Sequence, residues 1–172
     1  MSLSDIEKQF GLDGPVGQPP VEKWNPPLSG DMDMRLCKDG TWLHEGDLIK
    51  REKLVRLFAS ILKKEGDEYF LVTPVEKWRI QVEDRPLVVQ LIDRQGNDIQ
   101  VVTNGGDSFF IGDDHPLKIS TLDGVDVPEV LVRNNLWARF SRNAFYQLSE
   151  LAETNADETV IVKSGACEFI IG

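Results

Sequence analysis

Hydrophobic and polar positions along this chain repeat with two different periods, and the switches between the periods mark its elements. Residues 32–37 and 41–45 alternate as strands on either side of Asp39-Gly40, a pair that suits a tight hairpin turn. Over residues 52–63 the period becomes helical: Leu54, Phe58 and Ile61, together with Val55 and Leu62, fill one broad face. Glu68–Val72 and Lys77–Val82 return to strand, the second with Trp78, Ile80 and Val82 alternating, and Pro86 breaks the pattern. Residues 87–92, 99–103 and 108–111 predict a meander that turns at Gln95-Gly96-Asn97-Asp98 and at Asn104-Gly105-Gly106-Asp107. A strand pair around residues 130–140 leads into a helix over 142–153, whose apolar face is Phe145, Leu148, Leu151 and Ala152. Strands at 159–163 and 166–171 close the chain.

Ahead of this regular region, Ser4 and Glu7 fit a capping box, Ile6 and Phe10 share one helical face, and Gly11 supplies a stop. Prolines 15, 19, 20, 26 and 27 then keep residues 12–30 out of helix and central strand, so this stretch predicts an extended arm. Trp24 would be wasted in solvent and is expected to pin the arm to the folded body.

Two segments match each other. Lys38-Asp39-Gly40-Thr41-Trp42 corresponds to Arg133-Asn134-Asn135-Leu136-Trp137, and Ile49-Lys50-Arg51 meets Phe140-Ser141-Arg142 once His44-Glu45-Gly46-Asp47 is set aside as an inserted loop. Leu54 then meets Phe145, Leu57 meets Leu148 and Trp78 meets Phe169. The expectation is an α+β protein of two ββαββ-type units related by internal duplication, with mainly antiparallel sheets and one helix each. Residues 1–30 form the helix and arm, 31–85 the first unit and 86–172 the larger second one. One such unit is small for an independent core, so two packed copies are the economical solution.

Composition narrows the function. The 172 residues carry 19 Lys and Arg against 29 Asp and Glu, a formal charge of -10. Such an acidic chain is not expected to bind DNA, RNA or an anionic membrane, all of which need a basic face. Cys37 and Cys167 are too few for a disulfide framework or a cysteine zinc site. A polar N-terminus and the lack of any long apolar run point to the cytoplasm. No phosphate-binding glycine loop, nucleophile elbow or zinc-protease motif is present, and neither a cofactor nor a metal is expected. The acidic residues of 97–130 (Asp98, Asp107, Asp113, Asp114, Asp123, Asp126 and Glu129) read as a solvated face.

The informative oddity is Arg51, with Arg142 as its counterpart. Each stands at the opening turn of a helix, where unpaired N–H groups and the macrodipole favour anions over cations. A cation there has an acidic partner or helps the helix end hold a bound anion such as phosphate. Lys50, Lys53 and Arg56 add charge around the first helix. The competing reading is a surface salt bridge to Glu45, Asp47 or Glu83. Thr73 and Glu76, in the turn between two strands, and Arg79 on the following strand could face the same cleft, although an ordinary proline turn explains them too. His44 lies beside Glu45 and could serve as a general base, yet no serine or cysteine can be placed next to it. His115, after Asp113 and Asp114, lacks the ligand count of a metal site.

Val21-Glu22-Lys23-Trp24-Asn25-Pro26-Pro27, Gly30-Asp31-Met32-Asp33-Met34-Arg35, Asp39-Gly40-Thr41-Trp42 with Glu45-Gly46, Leu54-Val55-Arg56-Leu57-Phe58 and Leu71-Val72-Thr73-Pro74-Val75-Glu76 resemble the bacterial domain-of-unknown-function 1285 family. The likeness continues more faintly through Asp114-His115-Pro116-Leu117. It implies two α/β units related by duplication, the C-terminal one superficially similar to a pleckstrin-homology fold. It further implies a nucleotide-like ligand at the domain interface and a role in signalling, with no established activity.

The function expected is therefore a non-catalytic cytoplasmic module that holds a small anionic, nucleotide-like ligand between the repeats. Arg51, Arg56, Arg79 and Arg142 would contact phosphate, and His44, Thr73 and Glu76 would read polar groups. Trp42 and Trp78 are candidates to stack on a base, with core packing as their alternative. Two other readings are a protein-interaction adaptor using the arm or a sheet edge, and a small hydrolase using His44.

Overall fold

The computed structural model describes Lys8 and residues 18–172, so the helix expected over Ser4–Phe10 lies outside the described residues apart from Lys8, which is helical. The chain divides into two units, Met1–Asp84 and Arg85–Gly172. Among residues 18–172 each contains a six-stranded mixed sheet and one α-helix.

In the first unit, β1 (Gly30–Leu36) and β2 (Trp42–His44) form the expected hairpin, with Leu36 opposite Trp42 and Met34 opposite His44. Every second residue of β1 points inward, which buries Met32, Met34 and Leu36. A short β3 (Asp47–Leu48) folds back on β2, and α1 (Glu52–Ser60) follows. Then come β4 (Leu62–Glu65), β5 (Glu68–Val72) and β6 (Lys77–Val82), giving the order β3-β2-β1-β6-β5-β4 with a single parallel pair, β1 and β6. Leu54, Leu57 and Phe58 of the helix drop into the core, where the Phe58 ring stacks on Trp42 at 6.4 Å.

The helix is shorter than its periodicity predicts. Leu62 and Lys63 continue the helical spacing, but Gly66 takes a left-handed φ of +60° and turns residues 62–65 onto β5, with Leu62 opposite Leu71. Leu62 is buried in the strand, as a place on the apolar helix face would also bury it, so its hydrophobicity fits both conformations.

The arm lies against this unit. Pro19 and Val21 are buried, Val21–Lys23 make one 3-10 turn, and Trp24 is half-buried. Much of the anchoring comes from Lys63, only 4% exposed, whose Nζ donates to the Trp24 carbonyl (3.0 Å) and to Asn25 Oδ1 (2.9 Å). Its charge is met by Glu65 at 3.5 Å. Trp78 reaches Gly30: a Cβ on that glycine would sit 3.2 Å from the indole, at a φ of +149° that side chains rarely adopt.

The second unit runs β7 (Leu87–Gln95), β8 (Asp98–Thr103), β9 (Ser108–Phe110), β10 (Leu117–Leu122), β11 (Val125–Arg133), β12 (Leu136–Phe140) and α2 (Arg142–Glu150). Its sheet order is β10-β11-β12-β7-β8-β9, again with one parallel pair, β12 and β7. A separate three-stranded sheet holds β13 (Glu153–Thr154), β14 (Val160–Ser164) and β15 (Cys167–Ile170). Strand β10 had no counterpart in the sequence reading. It pairs with β11 across Asp123-Gly124, both at positive φ, and carries too few apolar residues to alternate clearly.

The two sheets, each of six strands with one parallel pair and one helix, are consistent with internal duplication. The connections differ, however. In the first unit the strands after the helix complete the six-stranded sheet, whereas in the second they form the extra sheet and β7, β8 and β9 take their place. Trp78 and Phe169 therefore belong to differently built sheets. Both six-stranded sheets run as open strand orders, with no closure into a barrel among the described residues.

Candidate functional site

A groove of about 260 Å³ opens on the first unit where the β2–β3 turn meets the start of α1. Its polar lining is of both signs, Lys50 and Arg51 on one hand and Glu45 and Asp47 on the other, with His44 beside them. Leu48, Ile49 and Leu54 supply the apolar wall. The turn that carries Glu45 and leads into Asp47 is two residues long, Glu45 at φ +52° and Gly46 at φ +83°, as in a type I′ hairpin. It is fixed to the sheet by the Glu45 N–H donating to Asp33 O at 2.9 Å, and Ile49 N–H donates to Trp42 O at 2.9 Å. The groove thus sits on sheet backbone rather than on a free loop.

Arg51 is the residue immediately before α1, in extended conformation, and its side chain makes no capping hydrogen bond. The helix ladder begins with the amides of Leu54 and Val55, both donating to Arg51 O at 3.1 Å. At α2 the same place is taken by Ser141, whose Oγ accepts from the Ala144 N–H at 3.1 Å. Matched at their starts, the helices pair Arg51 with Ser141, buried Leu54 with buried Ala144, and buried Phe58 with buried Leu148. Arg142 falls one step later, as the first helical residue, so the correspondence read from the sequence is shifted by one.

Of the seven candidate residues, the groove lining contains His44 and Arg51. Arg56 is exposed on α1 and Arg142 is exposed on α2 in the other unit. Arg79, on β6, pairs with Asp31 at 2.7 Å and Glu68 at 3.2 Å and lies over the Phe70 ring. Thr73 is fully buried, and its Oγ1 accepts the amides of Glu76 (3.0 Å) and Val75 (3.3 Å) to lock the β5–β6 turn. Glu76 sits half-buried in that turn, its carbonyl accepting from Thr73 N–H at 2.9 Å. Trp42 is core; Trp78 is half-buried against Gly30.

Two charged clusters escaped the sequence reading. On the second sheet, Lys118, Glu129 and Arg139 are cross-strand neighbours in one row. The Glu129 side chain is 0% exposed and Arg139 2%. Arg85 grips the Glu129 carboxylate with Nε (3.1 Å) and Nη2 (2.8 Å), Ser120 Oγ donates to it, and Arg139 and Lys118 stand at 3.5 and 3.6 Å. Burial pushes this carboxyl up, but the Arg85 and Ser120 hydrogen bonds and the Arg85 and Lys118 charges outweigh it, leaving it below the ordinary glutamate value. Arg133 and Asp107 form the second cluster, with Asp107 also accepting from Thr103 Oγ1 at 2.9 Å. Glu129 is therefore internal and Asp107 half-buried in an ion pair, and neither belongs to a freely solvated acidic face. An acidic residue with apolar neighbours on both sides, as in Pro128-Glu129-Val130, was the available signal.

The remaining candidates are local. His115 Nδ1 lies 2.9 Å from the Leu131 carbonyl and its ring stacks on Phe109. Burial raises the Cys37 thiol, and a hydrogen bond to Asp113 raises that of Cys167. Among the described residues no group of three His, Cys, Asp or Glu side chains could hold a metal, and no helix is long and apolar enough to cross a membrane.

Two family models match adjoining stretches of the chain: the N-terminal domain of DUF1285, a domain of unknown function, over residues 19–85, and the C-terminal domain of the same family over 86–171. A crystal structure of a DUF1285 family protein from Silicibacter pomeroyi DSS-3 is similar at 38% identity and a TM-score of 0.89, covering 99% of this chain and 94% of that one. A second, from Shewanella baltica OS155, has 32% identity and a TM-score of 0.55 over 67% of this chain and 89% of its own. No curated protein matches. The chain belongs to the DUF1285 family.

Proposed function

We propose that this protein is a binding module for a small phosphate-bearing, nucleotide-like anion, held without chemical conversion in the groove at the start of α1. The observation that carries the reading is the convergence of His44, Lys50 and Arg51 on one concave surface of a chain whose net charge is -10. The start of the helix adds backbone N–H groups and the positive end of the dipole. Arg51 stands where Ser141 caps the other helix, so the first turn of α1 is offered a cation rather than its own capping oxygen. An anion bound there would accept from both. Among the described residues the lining has no serine, threonine or cysteine, which supports holding over nucleophilic catalysis through His44. The arm is tied down by Lys63, which weighs against it as a free adaptor segment.

The test is a thermal-shift and calorimetric screen with inorganic phosphate, pyrophosphate and nucleoside monophosphates. Binding raises the melting temperature by mass action. Arg51→Ala removes a charge-assisted contact of about 1.5–3 kcal/mol and should weaken binding roughly 10-fold or more, while Arg94→Ala, on the second unit, should leave it unchanged. A panel with no shift at millimolar concentration, or an Arg51→Ala protein that binds like the wild type, would sink the proposal.

A further inference from the structure

The turn between β8 and β9 carries chemistry that the groove does not use. Of the seven asparagines in the chain, Asn104 alone precedes a glycine. An asparagine in that setting is open to attack by the next backbone nitrogen, because glycine has no Cβ to crowd the approach. The Gly105 nitrogen bonds to Asn104 Cγ, its proton leaves with the carboxamide nitrogen as ammonia, and a succinimide ring remains. Water then opens the ring at either carbonyl, giving aspartate or isoaspartate. Water is the sole co-reactant, and nothing is oxidised or reduced. We infer that Asn104-Gly105 is a latent deamidation site held shut by the pairing of Asn104 with β7, and that its conversion to isoaspartate loosens that pairing.

The hairpin loop is closed by Thr103, whose N–H donates to Asp107 O at 2.9 Å and whose carbonyl accepts from Gly106 N–H at 3.1 Å, with Gly106 at a left-handed φ of +87°. Asn104 is tied twice to Val88 of β7. Its N–H donates to Val88 O at 2.9 Å, and its Oδ1 accepts the Val88 N–H at 3.0 Å. Ring closure needs Cγ to turn onto the Gly105 nitrogen, which takes Oδ1 off Val88 and strands the N–H of a residue only 5% exposed. The attacking group is restrained as well, since Gly105 N–H donates to Thr103 Oγ1 at 3.2 Å and Thr103 is buried. Asn104 and Gly105 are half-buried, so water reaches the loop once it opens. Isoaspartate would insert the Cβ of residue 104 into the main chain and withdraw the acceptor from Val88. It would also add a carboxylate to a loop that already holds Asp107, the partner of Arg133. Val88 stands opposite Arg139 of β12, so the damage falls on the parallel junction of the sheet.

Peptide-resolved mass spectrometry on the full chain tests this, with the protein held in mildly alkaline buffer either native or unfolded in urea. Residues 104–105 should deamidate at least ~10-fold faster in the unfolded chain, because the native site reacts only through local opening. At urea concentrations well below the unfolding transition, the native deamidation rate and the hydrogen exchange of the Val88 amide should rise with the same slope, since one opening exposes both. The isoaspartyl fraction, separated by ion exchange, should melt about 2–4 °C below the unmodified chain. Equal rates in the native and unfolded chains would show that the β7 pairing shields nothing. A Val88 amide whose exchange rises with urea while deamidation stays constant would also overturn the gate. Absence of deamidation in the unfolded chain would remove the site itself. An isoaspartyl fraction that melts with the unmodified chain would overturn the loosening of β7.

Discussion

Single residues decide what the two units tolerate, and the buried charges are the clearest cases. Lys63 spends its ammonium on the Trp24 carbonyl, Asn25 and Glu65, at 4% exposure. Lys63→Met keeps the aliphatic stem but strands two acceptors, so it should cost about 1–3 kcal/mol in urea unfolding and make the arm a protease target. Unchanged stability with an uncut arm would show that Trp24 and Val21 hold the arm alone. Glu129 makes a pH statement. Its folded carboxyl titrates below the ordinary value because Arg85, Ser120 and Lys118 outweigh burial. A depressed carboxyl contributes stability that is fully present above the unfolded value, about 4.3, and is lost as pH falls through the folded one. Wild-type stability should therefore drop on acidification below about pH 5, and Glu129→Gln should flatten that part of the curve. Glu129→Ala, which leaves Arg139 buried beside a missing partner, should cost about 3–5 kcal/mol at neutral pH. Parallel acid-unfolding curves for wild type and Glu129→Gln would mean that the carboxylate is not the group titrating.

At the scale of the element, the two helix starts form a natural experiment. Ser141→Ala removes a cap and should destabilise the chain by about 1 kcal/mol. Arg51→Ser gives α1 the cap that α2 already has, and should stabilise by a similar amount while weakening anion binding. A variant that gains neither stability nor loses ligand would show that Arg51 is merely tolerated there. The same starts explain what the sequence made legible. Asp39-Gly40 and strands Glu68–Val72 and Lys77–Val82 could be read because turn chemistry and alternation agree with the sheet. Residues 62–65 could not, since Leu62 fits both a helix face and a strand until Gly66 turns the chain back. Strand β10 went unread because burial at Leu117 alone gives no period. Of the candidate residues, His44 and Arg51 come to line one groove although seven positions separate them in the chain. Glu129 could not, because only the register of three strands reveals that Lys118 and Arg139 flank it.

Across the whole molecule, charge sets how a ligand arrives as distinct from how it is held. A chain of net charge -10 repels an anion at long range, while the groove attracts it only within contact distance of Lys50 and Arg51. Salt acts on these two terms in opposite senses. At 0.01 M ionic strength the screening length is about 30 Å and the ligand meets the field of the entire chain; at 0.15 M it is about 8 Å and the distant carboxylates drop out. Association should then speed up as salt is added, the reverse of an electrostatically steered encounter, while dissociation also quickens as the local pairing weakens. The equilibrium constant should consequently change little between 20 and 200 mM salt, roughly twofold, where a protein that neutralises many phosphates of a nucleic acid would lose orders of magnitude. Stopped-flow measurement of both rates for a nucleoside monophosphate separates the terms. An association rate that falls steeply with salt would place a positive field well beyond the groove, and with it a cationic surface larger than Lys50 and Arg51 provide.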